Sequence, residues 1–389
     1  MKTLHIRKNL TLALLFLSSA ALITCTKEKV QNNICEGNGQ PVINSVMTAD
    51  RATTITQGEY NQFVVIKGEN LCNLKKFMFN DVEVSIDELY ANNNELTVKI
   101  PNRVPENLNN KITLETPSGS AQFDFKINIP PVAIKNIENE YAPVGTIMAI
   151  AGQSFDFGGY LKGEGKVFFG NVQATIERAT VDSLYVKVPT GATQGSLIKT
   201  VDKYGNEDVY QYPYMDNTNV VVNYDDKPNN GTKYVGEDPV PGPVSGRYSH
   251  VVEAALRTTF AYDTFVKGKI TLPQEVYDNP SDYVIKFEVA TIIPVNKAGI
   301  RIFGDNLVAT NKHTAWTFTA TRQLDTKGKW ITQSVSLQAA IGGTVAFLPR
   351  PNNIPARQIE VMGIFTTNIA NYAVNIGFDN WRIVKKSKY

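Results

Sequence analysis

Past residue 24 the chain carries two histidines, His250 and His313, and neither has a metal-ligand partner at helical spacing. No Gly-x-Ser-x-Gly nucleophile elbow occurs. Among 37 Asp and Glu residues, no two stand apart as a glycosidase pair. A catalytic centre normally leaves a recognisable constellation. The reading is therefore a protein that is not an enzyme, with no catalytic residues and no catalytic metal. Asp225, Asp226 and Asp379 read first as turn formers. A structural Ca²⁺ held by their oxygens is the alternative, and no other cofactor is implied.

The tryptophans point to binding instead. All three (Trp316, Trp330 and Trp381) fall in the last 75 residues. A flat aromatic face suits the apolar CH face of a sugar ring, with neighbouring polar groups fixing the hydroxyls. Trp316, in His313-Thr314-Ala315-Trp316-Thr317-Phe318, shares a strand face with Phe318, so both platform and core burial fit it. Trp330 leaves the turn Gly328-Lys329 into a strand and reads as structural. Trp381 follows Asp379-Asn380 in the closing strand and reads as core or rim.

These residues sit at the far end of an exported chain. Lys2, Arg7 and Lys8 precede an apolar run from Leu10 to Ile23, too short for a permanent membrane span. Residues 1–24 read as a signal peptide. Leu22-Ile23-Thr24-Cys25 resembles the bacterial lipobox, which implies lipidation at Cys25; an ordinary signal peptide with an incidental cysteine is the alternative. Residues 25–40 are polar and read as a flexible tether. Removing the three positive residues of the signal takes the formal charge from +2 to about −1, which argues against a nucleic-acid partner. Cys35 and Cys72 remain, as a disulfide permitted by export or as two thiols.

From Pro41 onward the texture is β: short Val, Ile, Phe and Thr runs such as Phe63–Ile66, Lys111–Glu115 and Phe123–Ile127 alternate with Asn, Gly, Asp and Pro turns. A repeat is present. Ile66-Lys67-Gly68-Glu69-Asn70-Leu71 matches Ile150-Ala151-Gly152-Gln153-Ser154-Phe155. Phe79-Asn80-Asp81-Val82 matches Phe169-Gly170-Asn171-Val172, and Leu96 to Pro101 matches Leu184 to Pro189. Offsets of 84, 90 and 88 residues equal one small β-sandwich. Gly68 and Gly152 read as positions needing a backbone conformation that other residues avoid. Residues 41–129 and 130–214 are thus two copies of one domain, the second carrying a glycine-rich insertion, Asp156 to Gly165, that reads as a mobile loop. Residues 215–389 form a third domain. Its first and last strands, Val220 to Asp226 and Val374 to Val384, flank further strands as in a jelly roll. The proline-bearing loop Val235 to Arg247 is long enough to be functional or mobile.

The repeated motifs resemble IPT/TIG domains, which implies tandem immunoglobulin-like sandwiches used as spacers. The third region resembles the carbohydrate-binding domain of surface glycan-binding proteins in Bacteroidetes polysaccharide-utilisation systems. That resemblance rests on Asn223-Tyr224-Asp225-Asp226, Tyr283 to Glu288, Trp330-Ile331-Thr332 and Phe378-Asp379-Asn380-Trp381-Arg382. It implies an all-β, non-catalytic lipoprotein at the outer-membrane surface, capturing a polysaccharide or oligosaccharide for a TonB-dependent uptake system beside an outer-membrane transporter. It makes Trp316 the platform, with His313, Asn296, Lys297, Arg301 and Asn306 as polar contacts and Tyr248, Tyr262 or Tyr372 as substitute rings. Ala315 stands where many relatives have a second aromatic. The alternative is a structural or adhesive lipoprotein whose last domain binds a protein, since fold alone does not settle function.

Overall fold

The computed structural model describes residues 39–226, 235–256, 263–271, 273–304, 312–317, 321–340, 358–366 and 372–387. These residues are almost wholly β, as expected, with only short helices such as Gln274–Asp278 and Leu337–Ala340. The chain falls into two compact units, Met1–Ile129 and Pro130–Tyr389.

Unit 1 is a sandwich. Val42–Thr48, Phe63–Glu69, Glu95–Lys99 and Tyr90–Ala91 form one antiparallel sheet in that order. Val82–Glu83, Lys76–Phe79, Lys111–Thr116 and Gly119–Asp124 form the other. Alternate residues point inward, so Val64, Ile66, Leu96 and Val98 meet Phe77, Phe79, Ile112 and Leu114 in a single core. The expected strand Phe123–Ile127 is in fact divided: Lys126–Asn128 leaves the sheet and pairs in parallel with Gln57–Glu59. Cys72 is buried and disulfide-bonded, while Cys25 and Cys35 lie outside the described residues.

The first half of unit 2 has matching strands, here joined in one seven-stranded order because Val172–Ala179 pairs on both sides: Ala133–Ile137, Ile147–Gln153, Ser183–Lys187, Val172–Ala179, Lys166–Phe169, Ile198–Val201 and Glu207–Val209. The repeat extends to its irregularities. The first strand of each copy slips register at the same place, between Ile43 and Ser45 and between Ile134 and Asn136. The paired glycines turn out to be needed for close approach rather than for φ. A Cβ on Gly68 would lie well inside contact distance of the Val42 carbonyl oxygen, and one on Gly152 would meet the Ala133 carbonyl oxygen in the same way. The left-handed residues are instead Asn70 (φ 56°) and Ser154 (φ 61°), two positions later. They turn Leu71 and Phe155, both fully buried, into the core.

The glycine-rich insertion is a folded element. Gly159 and Gly163 adopt φ of 81° and 75° and bracket the 3₁₀ turn Tyr160–Lys162. Tyr160 is buried edge-on against Phe155, and Lys203 N donates to Gly158 O.

The second half of unit 2 has two sheets. In the larger, the order is Val235–Gly236, Tyr248–Leu256, Tyr372–Lys385, Tyr283–Thr291 and Ile331–Ser336; Val220–Val222 adds to the far end of Tyr372–Lys385. The opening strand is thus shorter than expected and stops at Val222. The smaller sheet runs Asp263–Thr271, Gln358–Thr366, Ala298–Gly304 and Lys312–Thr317.

Tyr283–Thr291 is buried along its whole length because both of its faces are covered. Its odd-numbered residues Tyr283, Ile285, Phe287 and Val289 enter the C-terminal core. Val284 enters the core of the immunoglobulin-like half, as does Val384. The closing strand changes parity midway. Val374, Ile376 and Phe378 point into the C-terminal core, then Trp381 and Ile383 do. A register shift opposite Lys286/Glu288, with Asn380 at φ 48°, absorbs the extra residue. This bulge is what the Asp379-Asn380-Trp381-Arg382 motif encodes. It sends Trp381 onto Phe287, with ring centroids 3.9 Å apart and planes 13° apart.

Candidate functional site

The backbone gathers three of the expected contact residues. Trp316 pairs with Ile300, Thr314 with Arg301, and His313 with Ile302, on the outermost strand of the smaller sheet and its neighbour. The pairing slips between Ile300 and Arg301, which leaves Ala315 as the extra residue of a bulge. At about 3.3 Å per residue, Trp316 and His313 stand roughly 10 Å apart along one edge. The side chains of Trp316, His313 and Arg301, and all of Asn306 and Tyr262, lie outside the described residues.

Asn296 and Lys297 lead into Ala298–Gly304. Lys297 is exposed. Asn296 N donates to the Tyr372 hydroxyl (2.9 Å), which also lies 3.1 Å from Asn296 Oδ1. Tyr372 therefore serves to hold this loop. The neighbouring Val295 exchanges two 2.9 Å backbone bonds with Leu324.

Tyr248 is corrected from its reading as a glycan contact. It is fully buried, its hydroxyl donates to Asp238 O (3.1 Å), and its ring meets Trp330 edge-on at 5.3 Å. No face of the ring is open to a ligand. Trp330 is structural, as read: its Nε1 donates to Gly242 O (2.8 Å), and its six-membered ring covers Gly377, where a Cβ would come within 2.8 Å of it. Trp381 is core. Two of the three tryptophans are thereby committed to packing.

The proline-bearing loop is anchored along its length. His250 bonds Asp238 through Nδ1 (2.9 Å) and Asn375 through Nε2 (2.7 Å). Ser245 Oγ donates to Asp379 Oδ2 (3.0 Å), and Arg247 N donates to Asp225 Oδ1 (2.6 Å). The three aspartates considered for calcium are thus occupied in such bonds, Asp226 with Asn223 Nδ2. Among the described residues no group of acidic, His or Cys side chains is placed to hold a metal ion. Burial pushes the Asp379 carboxyl up to about 9, aided by the charge of Glu288, against the Asn380 N–H and Ser245 bonds that favour the carboxylate.

A buried charge cluster lies behind this face, between the two halves of unit 2. Glu140 bonds Lys286 Nζ, Arg382 Nη2 (2.6 Å) and the Tyr210 hydroxyl (2.7 Å). Arg382 also grips Glu288 with Nη1 (2.9 Å) and Nη2 (3.1 Å). Thr332 Oγ1 donates to Glu288 and accepts from Glu140 N (2.7 Å). Lys286 Nζ sits 3.7 Å from the Tyr212 ring centroid. The quartet is formally neutral. Burial opposes the charge on Glu140, but Arg382 and Lys286 outweigh it and hold the carboxyl below its usual range. Glu288 faces one cation rather than two, and burial pushes it up. Burial also lowers Lys286. The sequence signal was there: Lys286 and Glu288 interrupt an otherwise apolar strand, and Arg382 interrupts its partner.

Residues 214–385 match the family described as surface glycan-binding protein B xyloglucan binding domain. The chain is similar to surface glycan-binding proteins, that is, SGBP-like. In fold, the chain is similar to a surface glycan-binding protein from Prevotella bryantii, with TM-score 0.62 at 16% identity, covering 89% of this chain and 99% of that one. An IPT/TIG domain-containing protein of Bacteroides ovatus is 28% identical over 155 residues, 37% of this chain. The chain covers only 30% of that relative's length. The matched family is one of cell-surface, glycan-binding domains and not of catalysts. In this SGBP-like chain, the four motifs behind the resemblance are the bulged closing strand, its doubly buried partner, the Trp330 wedge and the turn beneath Arg247.

Proposed function

We propose that this SGBP-like protein is a non-catalytic receptor that captures a polysaccharide or oligosaccharide at the cell surface for a TonB-dependent transporter. The observation that carries the reading is the match of residues 214–385 to a glycan-binding domain family. The packing supports Trp316 as the platform: Trp330 and Trp381 are consumed in the fold, and Trp316 is the tryptophan left on an edge strand beside Arg301 and His313. Lys297 and Asn296 border that edge at the start of the adjacent strand. Anchoring through a lipid on Cys25 would tether the chain to the outer membrane, with the immunoglobulin-like sandwiches as spacers. Among the described residues no helix is long and apolar enough to cross a membrane.

Affinity electrophoresis of the chain in gels containing xyloglucan, mixed-linkage glucan, mannan, xylan or host glycans tests the reading. Retardation in at least one gel is expected, and Trp316→Ala removes it. Migration unchanged in every gel refutes the receptor, and retardation that survives Trp316→Ala refutes the platform. For the anchor, a Cys25→Ala chain released into the soluble fraction is expected, and an unchanged membrane fraction refutes lipidation.

A further inference from the structure

A second feature of unit 2 is built like a ligand site and plays no part in the edge-strand platform. Between the outer sheet face of the immunoglobulin-like half and the segment Asp325–Gln333 lies a cleft of about 400 Å³, a volume in the range of small-ligand sites. Its floor is small and apolar, with Ala149 and Ala151 on one side and Ile331 on the other. Its walls carry Asn136 and Glu138 facing Asp325, Lys329 and Gln333. Among the described residues no side-chain hydrogen bond is seen for Asn136, Lys329 or Gln333, while Glu138 Oε2 accepts from Ala149 N (3.3 Å) and Asp325 Oδ1 from Lys327 N (3.0 Å), each carboxylate keeping further acceptor capacity.

The cleft cannot easily widen or collapse. Thr332 N donates to Glu138 O (2.6 Å), and Glu140 N donates to Thr332 Oγ1 (2.7 Å), so both walls are stitched together directly behind the floor. The buried Glu140–Arg382–Glu288 chain continues from that stitch. A preformed cleft spares a ligand the ordering of its own site.

The lining selects for hydroxyls. The two carboxylates repel an anion, and Lys329 offsets part of their pull on a cation. Carboxylates only accept hydrogen bonds, an ammonium only donates, and the two amides do both. A neutral ligand with many groups that each donate and accept satisfies all five, and its CH face would lie on the alanine floor. We propose that this cleft is a second saccharide site, sized for one or two neutral sugar residues and independent of Trp316.

The test reads the floor directly. The full chain labelled with ¹³C at alanine methyl groups is titrated with cellobiose, mannobiose, xylobiose and galactobiose. At least one of these should shift the Ala149 and Ala151 methyl signals saturably. The shift should persist in Trp316→Ala, weaken several-fold in Gln333→Ala, and vanish at Ala149 in Ala151→Trp, which fills the cleft from an exposed position. No shift with any of the four disaccharides overturns the proposal. So does a shift lost in Trp316→Ala, which would belong to the platform, or one kept in Ala151→Trp. Loss of polysaccharide retardation with the methyl shifts intact would leave this site standing whatever the fate of the platform.

Discussion

Replacing Glu140 by Gln removes one carboxylate from a buried, formally neutral quartet: Lys286 loses its carboxylate partner and Arg382 keeps only Glu288. All four side chains are at most 4% exposed, so water does little to screen the imbalance. Breaking a buried pair by removing one partner costs about 3–5 kcal/mol, because a charge is stranded. For a unit of this size each kcal/mol lowers Tm by about 2–4 °C, so a fall of roughly 10 °C is expected. Scanning calorimetry, with tryptophan fluorescence for unit 2, measures it. The same logic makes a rescue: Glu140→Gln with Lys286→Met restores neutrality and keeps the Arg382–Glu288 fork. The double variant should recover most of the lost stability. A Glu140→Gln variant within about 1 kcal/mol of wild type would refute the reasoning, as would a double variant no better than the single.

Asp379, fully buried and pushed up to about 9, is protonated in the native state at neutral pH and ionised once unfolded. A raised carboxyl stabilises fully below the unfolded value of 3.8, and the contribution is lost as pH rises through 9. At about 1.4 kcal/mol per unit, at most about 4 kcal/mol goes between pH 4 and 7. Asp379→Asn should flatten that slope in denaturation midpoints taken from pH 5 to 8.5; an unchanged slope would count against it. Glu95 of unit 1 has the opposite sign: bonds from Arg51 and Lys67 hold it at about 2. Its contribution is present above 4.5 and fades as pH falls toward 2, so Glu95→Gln should blunt acid unfolding of unit 1, followed by circular dichroism. Gly68→Ala and Gly152→Ala should each cost about 1–3 kcal/mol in urea titrations, since backbone must move to admit the methyl group. Neutral substitutions would contradict the close-approach account. Tyr248→Phe loses one hydrogen bond, about 1 kcal/mol, and should leave glycan retardation unchanged; weakened retardation would reinstate Tyr248 as a contact.

The two immunoglobulin-like copies were legible because their cores follow the period of two. Ile66 and Ile150, Phe79 and Phe169, Leu96 and Leu184 are all buried at matching sheet positions. What the glycines do was not legible: a carbonyl approaching from another strand leaves no mark on the local sequence, so conformational freedom was the natural but wrong explanation. The closing strand misleads in a different way. Its alternation breaks at Asn380, and only the pairing with Tyr283–Thr291 explains why Phe378 and Trp381, three apart, share one core. The charged quartet was visible as Lys286, Glu288 and Arg382, yet its fourth member, Glu140, lies 146 residues before Lys286. Tyr248 failed as a site residue because its neighbours in space, Trp330 and Asp238, come from separate segments.

The central claim is that the last domain holds a glycan on the Lys312–Thr317 edge. The most direct measurement is isothermal calorimetry of the full chain and its Trp316→Ala variant against whichever glycan retards the wild type in gels. The account predicts saturable binding by wild type and a loss of at least tenfold in affinity, with an unchanged Tm, for Trp316→Ala. Equal affinity in the two proteins would contradict it.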